Sequence, residues 1–278
     1  MPVHVVTDST CDLPADLARE HGITVVPLTV SFGDESFLDG VDIDADEFYR
    51  RLAASSGLPR TSQPSVERFR QVYASFGPGA EIVSVHLSAR LSGTLNSATI
   101  AREQLADDAR IELLDSNTVS LGLGAVAVEA AFVARQGGTL EEVSAAARRT
   151  IERVQVIALV DTLEYLRRGG RIGRARSMLG SLLSIKPLVH VEDGEVAPLE
   201  RVRTRGRAIE RLFELATADP TARRVFVGSG GNREEAEVFL ERLRRALPDT
   251  ELLLGQVGPV VGVHAGPNVL GVAIERGN

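Results

Sequence analysis

The stretch Val3-His4-Val5-Val6-Thr7-Asp8-Ser9-Thr10-Cys11-Asp12-Leu13-Pro14 decides how the whole chain is read. Val3 to Thr7 is a short apolar run rich in β-branched residues, which predicts a strand. Asp12 ahead of Leu13-Pro14 then marks a helix start with proline in the first turn. The polar Asp8-Ser9-Thr10 lies where that strand ends, the place where α/β folds put ligands. Shaping the turn is the favoured role for these three residues, and ligand binding is the alternative.

The same alternation continues outward. The first helix is expected to run to about His21-Gly22, and Thr24 to Phe32 reads as a second strand. Asp44 with Glu47, and Thr139 with Glu142, have the spacing of capping boxes. They open helices to about Ser55 and Arg153. Ser65 to Phe76 carries Val66, Phe69, Val72, Tyr73 and Phe76 at helical spacing. Ile82 to Leu87 and Ile111 to Leu114 read as strands, with a helix over Thr94 to Leu105 between them. Leu121 to Arg135 is apolar on every side, which predicts a buried helix. Strand and helix in turn imply an α/β domain with a largely parallel sheet over residues 1–155.

Beyond 155 the rhythm changes. Val156 to Val160 reads as a strand, Thr162 to Arg168 as a short helix ended by Gly169-Gly170, and Ala175 to Leu183 as a helix. Leu188 to Glu192 and Val196 to Val202 flank Asp193-Gly194 as a hairpin. A helix over Arg205 to Ala218, a strand over Arg224 to Val227 and a helix over Arg233 to Leu247 follow. Glu251 to Val257, Val260 to His264 and Val269 to Glu275 are expected to finish as strands. Residues 156–278 therefore read as an α+β domain. No low-complexity linker separates the halves, so they are expected to pack tightly.

Composition narrows the function. The 278 residues carry a net charge of −7, 44% hydrophobic residues and 4% aromatics. An acidic, aromatic-poor surface argues against nucleic-acid binding, which needs a basic face. Cys11 is the single cysteine, so no internal disulfide forms, which suits a reducing compartment. The opening residues lack the basic and apolar regions of a signal peptide, and no apolar run approaches the roughly 18 residues of a membrane span. The expectation is a cytoplasmic protein, with room for transient contact at a membrane surface. Lys186 is the only lysine among the basic residues, which fits a GC-rich genome.

Four segments put polar groups where an anion could sit. Thr61-Ser62-Gln63-Pro64-Ser65 precedes a helix, where hydroxyls and free N–H groups attract anions, or where Ser65 simply caps. Leu91-Ser92-Gly93-Thr94 joins strand to helix; Gly93 permits close approach, and the segment lacks the glycine-lysine ending of a phosphate-binding loop. Leu166-Arg167-Arg168-Gly169-Gly170-Arg171-Ile172-Gly173 offers Arg171, whose guanidinium matches a carboxylate or phosphate. Arg167 and Arg168 read as solvated residues before a glycine cap. Gly258 to Pro267 carries His264 at the end of an apolar segment. His4, His21, His86 and His190 have no comparable setting, and with Cys11 they lack metal-ligand spacing, so no metal site is expected. Arg201, Arg203, Arg205 and Arg207 alternate and would share one face if the strand reached them; a solvated basic edge is the default.

These segments together resemble the DegV family over essentially the whole chain. The likeness rests on Thr7-Asp8-Ser9-Thr10-Cys11-Asp12-Leu13-Pro14, on Thr61-Ser62-Gln63-Pro64-Ser65 and on Leu87-Ser88-Ala89-Arg90-Leu91-Ser92-Gly93-Thr94. It rests also on Gly169-Gly170-Arg171-Ile172, on Lys186-Pro187-Leu188 and on the stretch from Gly258 to Gly271. One departure is that Ala265 and Asn268 stand where the family usually has threonine and a second glycine. The resemblance implies two α/β domains with a long-chain fatty acid, such as palmitate or oleate, in a tunnel between them. It implies a carboxylate held by Thr61 and Ser92 with Ser62, Gly93 and Thr94 alongside, and Arg171 and His264 assisting phosphoryl transfer. Similar proteins serve the catalytic subunit of a fatty acid kinase, which makes an acyl phosphate. No cofactor other than the bound lipid is implied, and the chain itself is not an enzyme in this reading. The competing reading is a hydrolase using Ser92 and His264, but Ser92 does not sit in a Gly-x-Ser-x-Gly elbow.

Overall fold

The computed structural model describes residues 2–55, 57–105, 109–180 and 185–277. Strand β1 (Val3–Asp8) leads through a 3₁₀ turn (Ser9–Cys11) into α1 (Ala15–His21). There follow β2 (Ile23–Val26), β3 (Thr29–Phe32), β4 (Glu35–Leu38), α2 (Ala45–Ala54), β5 (Arg60–Ser62), α3 (Val66–Ser75), β6 (Glu81–His86), α4 (Thr94–Glu103) and β7 (Arg110–Asp115). Helices α5 (Leu121–Arg135) and α6 (Leu140–Arg153) lead to β8 (Val154–Leu159), α7 (Glu164–Arg168), a 3₁₀ segment (Gly173–Met178), β9 (Lys186–Glu192) and β10 (Glu195–Val202). The chain closes with α8 (Arg205–Thr217), β11 (Ala222–Ser229), α9 (Arg233–Ala246), β12 (Glu251–Gln256), α10 (Pro259–Ala265) and β13 (Leu270–Arg276).

Strands β2-β1-β6-β7 form a wholly parallel sheet, with Val6 facing Thr24 on one side and Ser84 on the other. Strands β10-β9-β8-β13-β11-β12 form a mixed sheet in which only β11 and β12 run parallel. A small antiparallel sheet, β4-β3-β5, completes the fold. The parallel sheet and the mixed one give the α/β architecture expected from the pattern of elements.

Helix α5 ties the two large sheets together. Leu123, Val126, Ala127 and Ala130 pack on Val5, Val83 and Val85 of the parallel sheet. Leu121 and Ala125 pack on Phe226 and Ala273 of the mixed one. Gly124 is needed here because a Cβ at that position would lie 2.7 Å from the Cys11 carbonyl oxygen. The mixed sheet shows the period of two that a strand imposes. Ile157, Leu159 and Leu188 point into a core with α8 and α9, while Val160 and Val189 point to the opposite side.

Several local expectations are corrected. The run Thr24–Phe32 is two strands in different sheets, because Pro27 has no N–H to continue a ladder. Strands β4 and β5 carry too little apolar alternation to be read in advance. Ala175–Leu183 is not an α-helix: the segment is 3₁₀ over Gly173–Met178, with Gly173 and Gly180 both at positive φ. Its expected end at Leu182 and Leu183 lies outside the described residues. The alternating arginines do not share a strand face, because β10 ends at Val202 and Thr204 caps α8, which holds Arg205 and Arg207. The Thr139–Glu142 capping box is complete. At Asp44 only the aspartate half forms, since the Glu47 carboxylate turns to Arg50 and Arg51. Lys186 pairs with Asp161 at 2.8 Å.

The largest correction is at Val260–His264, expected as a strand and found as helix α10. The valines favour a strand locally, but Gly258 caps, Pro259 occupies the first helical position, and the Gly262 N–H reaches the Gly258 carbonyl at 2.8 Å. Val260 and Val263 then bury against Phe48 and Tyr49. Tertiary packing outweighs the local preference.

Candidate functional site

Between the parallel and mixed sheets lies a cavity of about 490 Å³. Its body is aliphatic: Val156, Ala158 and Val160 from one face of β8 and its end, Val189 and Val191 from β9, and Val196, Leu121, Val257 and Val272 around them. Alternate residues of a strand share a face, so three positions two apart on β8 make one wall. This volume falls within the range of roughly 300–1,000 Å³ that encloses a small ligand.

One end is polar, and the four candidate segments meet there. Strand β5 sets Thr61 opposite Val30 and brings its hydroxyl to 2.9 Å from Nε2 of His264. That contact joins residues 203 apart in sequence. Gln63 and Gly93 press together so closely that a Cβ on Gly93 would lie 2.2 Å from the Gln63 Oε1 atom. Gln63 donates to Ser97 Oγ at 2.9 Å, which fixes the amide over that glycine. Arg171 donates from Nε to the Leu91 carbonyl at 3.1 Å and from Nη1 to the Gly169 carbonyl at 2.7 Å. Gly169 abuts His264; a Cβ there would fall 2.1 Å from the imidazole Nδ1.

Thr61, Ser62, Ser92, Arg171 and His264 all border the cavity. Gly93 and Thr94 are not among its lining residues: Gly93 supports Gln63, and Thr94 is buried with its hydroxyl 2.9 Å from that of Ser92. Burial, reinforced by the nearby Arg171 charge, pushes His264 down to about 4, so the ring is neutral at physiological pH. Its Nδ1 atom is buried with no hydrogen-bond partner among the described residues.

Sequence reasoning quotes Gln63 only as part of its segment, favours a turn-shaping role for Thr10 and passes over Ser120 and His190, yet all four border the cavity. The spacing Gln63-to-Gly93 has no sequence signature because the two loops meet only in the fold. His190 had been set aside as lacking a setting; β9 carries it along the cavity. His86 is also far from ordinary. It is fully buried, with Nε2 2.7 Å from Ser84 Oγ and Nδ1 3.0 Å from the Asp8 carboxylate. Asp8 in addition accepts from the Leu87 N–H and from Thr10, so the Asp8-Ser9-Thr10 turn is shaped by its own side chains. Cys11 is buried in apolar surroundings that push its thiol well up, which makes it inert. Among the described residues no group of His, Cys, Asp and Glu could hold a metal ion, and no helix is long and apolar enough to cross a membrane.

A family model described as "Uncharacterised protein, DegV family" matches residues 2–277. The chain belongs to the DegV family. A DegV domain-containing protein of Streptomyces coelicolor is 40% identical over 278 residues, covering 98% of each chain. Among solved structures, a fatty-acid-binding DegV family protein from Thermus thermophilus is 33% identical with a TM-score of 0.90, over 99% of this chain and 100% of its own. A stearic-acid-binding protein from Eubacterium ventriosum is 29% identical with a TM-score of 0.91, over 99% of this chain and 98% of its own. The DegV fold thus extends from end to end of this chain.

Proposed function

We propose that this DegV family protein holds one long-chain fatty acid in the cavity between its sheets and presents the carboxylate to a separate kinase. The carrying observation is a mostly aliphatic cavity bordered by Thr61, Ser92, Arg171 and His264, with His264 on Thr61 and Arg171 on the loop that carries Ser92. A chain of about sixteen carbons has roughly fifteen methylene or methyl groups, worth up to ~12 kcal/mol on burial at ~0.8 each. Association and ordering remove much of that. Headgroup bonds mainly offset the desolvation of the carboxylate. The tail therefore supplies affinity and the polar end sets register.

In this reading the neutral His264 donates from Nε2 to Thr61, which frees the Thr61 hydroxyl hydrogen for the carboxylate. Ser92 supplies a second donor. A carboxylate needs no base to attack a phosphoryl group, so His264 orients it through Thr61, and the Arg171 guanidinium offsets charge as the phosphoryl group arrives. The hydrolase alternative finds no support: the Ser92 hydroxyl bonds to Thr94, and His264 bonds to Thr61 with no carboxylate on its other nitrogen among the described residues.

The test is mass spectrometry of lipid released on denaturing the protein purified from a bacterial host. About one long-chain fatty acid per chain is expected; a ligand-free protein that ignores added palmitate and oleate would sink the reading. The same preparations, with ATP and a competent fatty acid kinase, examine presentation. His264→Ala and Arg171→Ala should retain lipid yet form acyl phosphate about a hundredfold more slowly, because positioning and electrostatics carry phosphoryl transfer. Near-wild-type transfer in both variants would remove these residues from the mechanism.

A further inference from the structure

Helix α10 carries His264 in its last turn, yet what fixes its beginning lies elsewhere. The first N–H groups of a helix have no partner within it. Pro259 has none to offer, and the two N–H groups flanking it are taken by side chains from the start of the chain. The Gly258 N–H donates to Asp12 Oδ1 at 2.9 Å, and the Val260 N–H donates to Asp39. The Tyr49 hydroxyl donates to the Val257 carbonyl at 3.0 Å. All three side chains are buried, and none borders the cavity.

The clamp is itself anchored. Asp12 sits in the left-handed region at φ 51, closing the 3₁₀ turn that Asp8 caps, and its second oxygen accepts from Ser120 at 2.5 Å. Asp8 is bonded to His86 in the parallel sheet. Asp39 accepts from Ser9, whose hydroxyl oxygen accepts the Leu28 N–H at 3.0 Å. Polar contacts on both sides of the Ser9–Cys11 turn thus link the parallel sheet, through that turn's backbone, to the first turn of α10. Its seven residues span roughly 10 Å at 1.5 Å each, so a tilt at one end displaces His264 at the other. Gly262 has no room to absorb that tilt, since a Cβ there would lie 2.6 Å from Phe48 and 2.7 Å from the Tyr49 oxygen.

We propose that Asp12, Asp39 and Tyr49 are positioning residues for the headgroup site, holding the beginning of α10 so that His264 stays on Thr61. Burying two carboxyl groups is costly unless they are fully hydrogen-bonded. Apolar packing of Val260 and Val263 would suffice merely to bury the helix. The polar clamp adds a fixed position along and around the helix axis, which apolar packing alone does not define.

The inference rests on the fatty-acid reading for its functional meaning, but one of its readouts needs no ligand. Asp12→Ala, Asp39→Ala and Tyr49→Phe are compared with wild type by ¹⁵N NMR of the imidazole nitrogens and by affinity for palmitate and for hexadecanol. The His264 signals should shift, while those of His86, buried in the parallel sheet, stay in place. Affinity for palmitate should fall about tenfold, one headgroup bond's worth, with hexadecanol nearly unchanged. Asp12→Asn and Asp39→Asn retain an accepting oxygen and should restore most of the preference for palmitate. Unmoved His264 signals with an unchanged palmitate-to-hexadecanol ratio in folded variants would overturn the proposal. So would equal loss of both ligands without any rescue by asparagine. Should the alanine variants fail to fold, Tyr49→Phe, which removes one hydroxyl, decides by the same two readouts. If wild type binds neither lipid, the fatty-acid reading fails by itself and the His264 signals alone judge the clamp.

Discussion

The two ends of the cavity are built from different kinds of backbone. The aliphatic body is lined by the interiors of β8, β9 and β13, where hydrogen-bonded neighbours hold every residue in register. The polar end is assembled from a three-residue strand, the loop before α4, the glycine turn after α7 and the seven-residue α10. Strand interiors give a smooth wall that tolerates a flexible tail. Short elements and glycines let polar groups from positions 61, 92, 171 and 264 approach one another, at the cost of needing support from outside the site. Shape and affinity thus belong to the body, and register and chemistry to the polar end.

The strongest way to break this division is to fill the body without touching the polar end. Val189 points toward the cavity, whereas its neighbour Leu188 points into the α8–α9 core. Val189→Trp should fold, because an open space receives the ring, but it displaces roughly four methylenes of a bound tail. At ~0.8 kcal/mol each that is about 3 kcal/mol, more than a hundredfold in affinity. Leu188→Trp should do the reverse, costing ~1–3 kcal/mol of stability through overpacking while leaving the cavity shape alone. Thermal melts and lipid titrations of the pair check this. Equal loss of binding in both would mean that the body is not a separate tail site.

The same division explains what could be read in the sequence. Helix α5 was legible over Leu121–Arg135 because a fifteen-residue run with only Glu129 charged before its closing Arg135, followed by Gly137-Gly138, leaves little choice. The hairpin of β9 and β10 was legible from Asp193-Gly194, and the parallel sheet from the alternation of elements. At the polar end the residue types could be singled out but not their conformations. Val260–His264 looks like a strand until Asp12, Asp39, Phe48 and Tyr49 are brought to it, and those contacts are some 200 residues away in the chain. Arg60-Thr61-Ser62 becomes a strand only because β3 offers it an edge. The contact that Gln63 makes could not be read from its segment, since its partner Gly93 is a neighbour in space alone.

A second way to sharpen the contrast uses pH, because the polar end contains the partly buried imidazole of His264. His264 titrates at about 4 in the folded protein against 6.5 for an ordinary histidine. Between those values the unfolded chain holds a proton that the folded chain does not, so stability rises with pH and is lost as pH falls from 6.5 toward 4. The full difference is at most about 3 kcal/mol. Asp39 is pushed up to about 7 by burial and acts with the opposite sign, gaining stability as pH falls. The two are separated by comparison with His264→Gln. Denaturant melts should show wild type losing stability relative to that variant across pH 6.5 to 4. A constant difference would mean that His264 is not held neutral by its surroundings.

The smallest expected effects come from the hydroxyls themselves. Ser92→Ala and Thr61→Val each remove one donor at the polar end while leaving the aliphatic wall intact. A hydrogen bond to a charged group contributes ~1.5–3 kcal/mol against water, and ordered water entering the polar end restores part of it, so about fivefold to tenfold weaker palmitate binding is expected for each. Both substitutions also carry a structural cost that must be measured separately. Ser92 Oγ accepts from the Thr94 N–H at 3.3 Å at the start of α4, and loss of such a bond costs ~1 kcal/mol. Valine keeps the β-branched shape that suits β5, so Thr61→Val should spare the strand but release His264 Nε2 from its 2.9 Å contact. If the division of labour is right, the two variants lose palmitate mainly through faster dissociation, with melting temperatures of the ligand-free proteins close to wild type. Collapse of thermal stability with unchanged affinity in the surviving fold would make Ser92 and Thr61 supports for the loops, and the carboxylate would then have to be held by Arg171 and His264 alone.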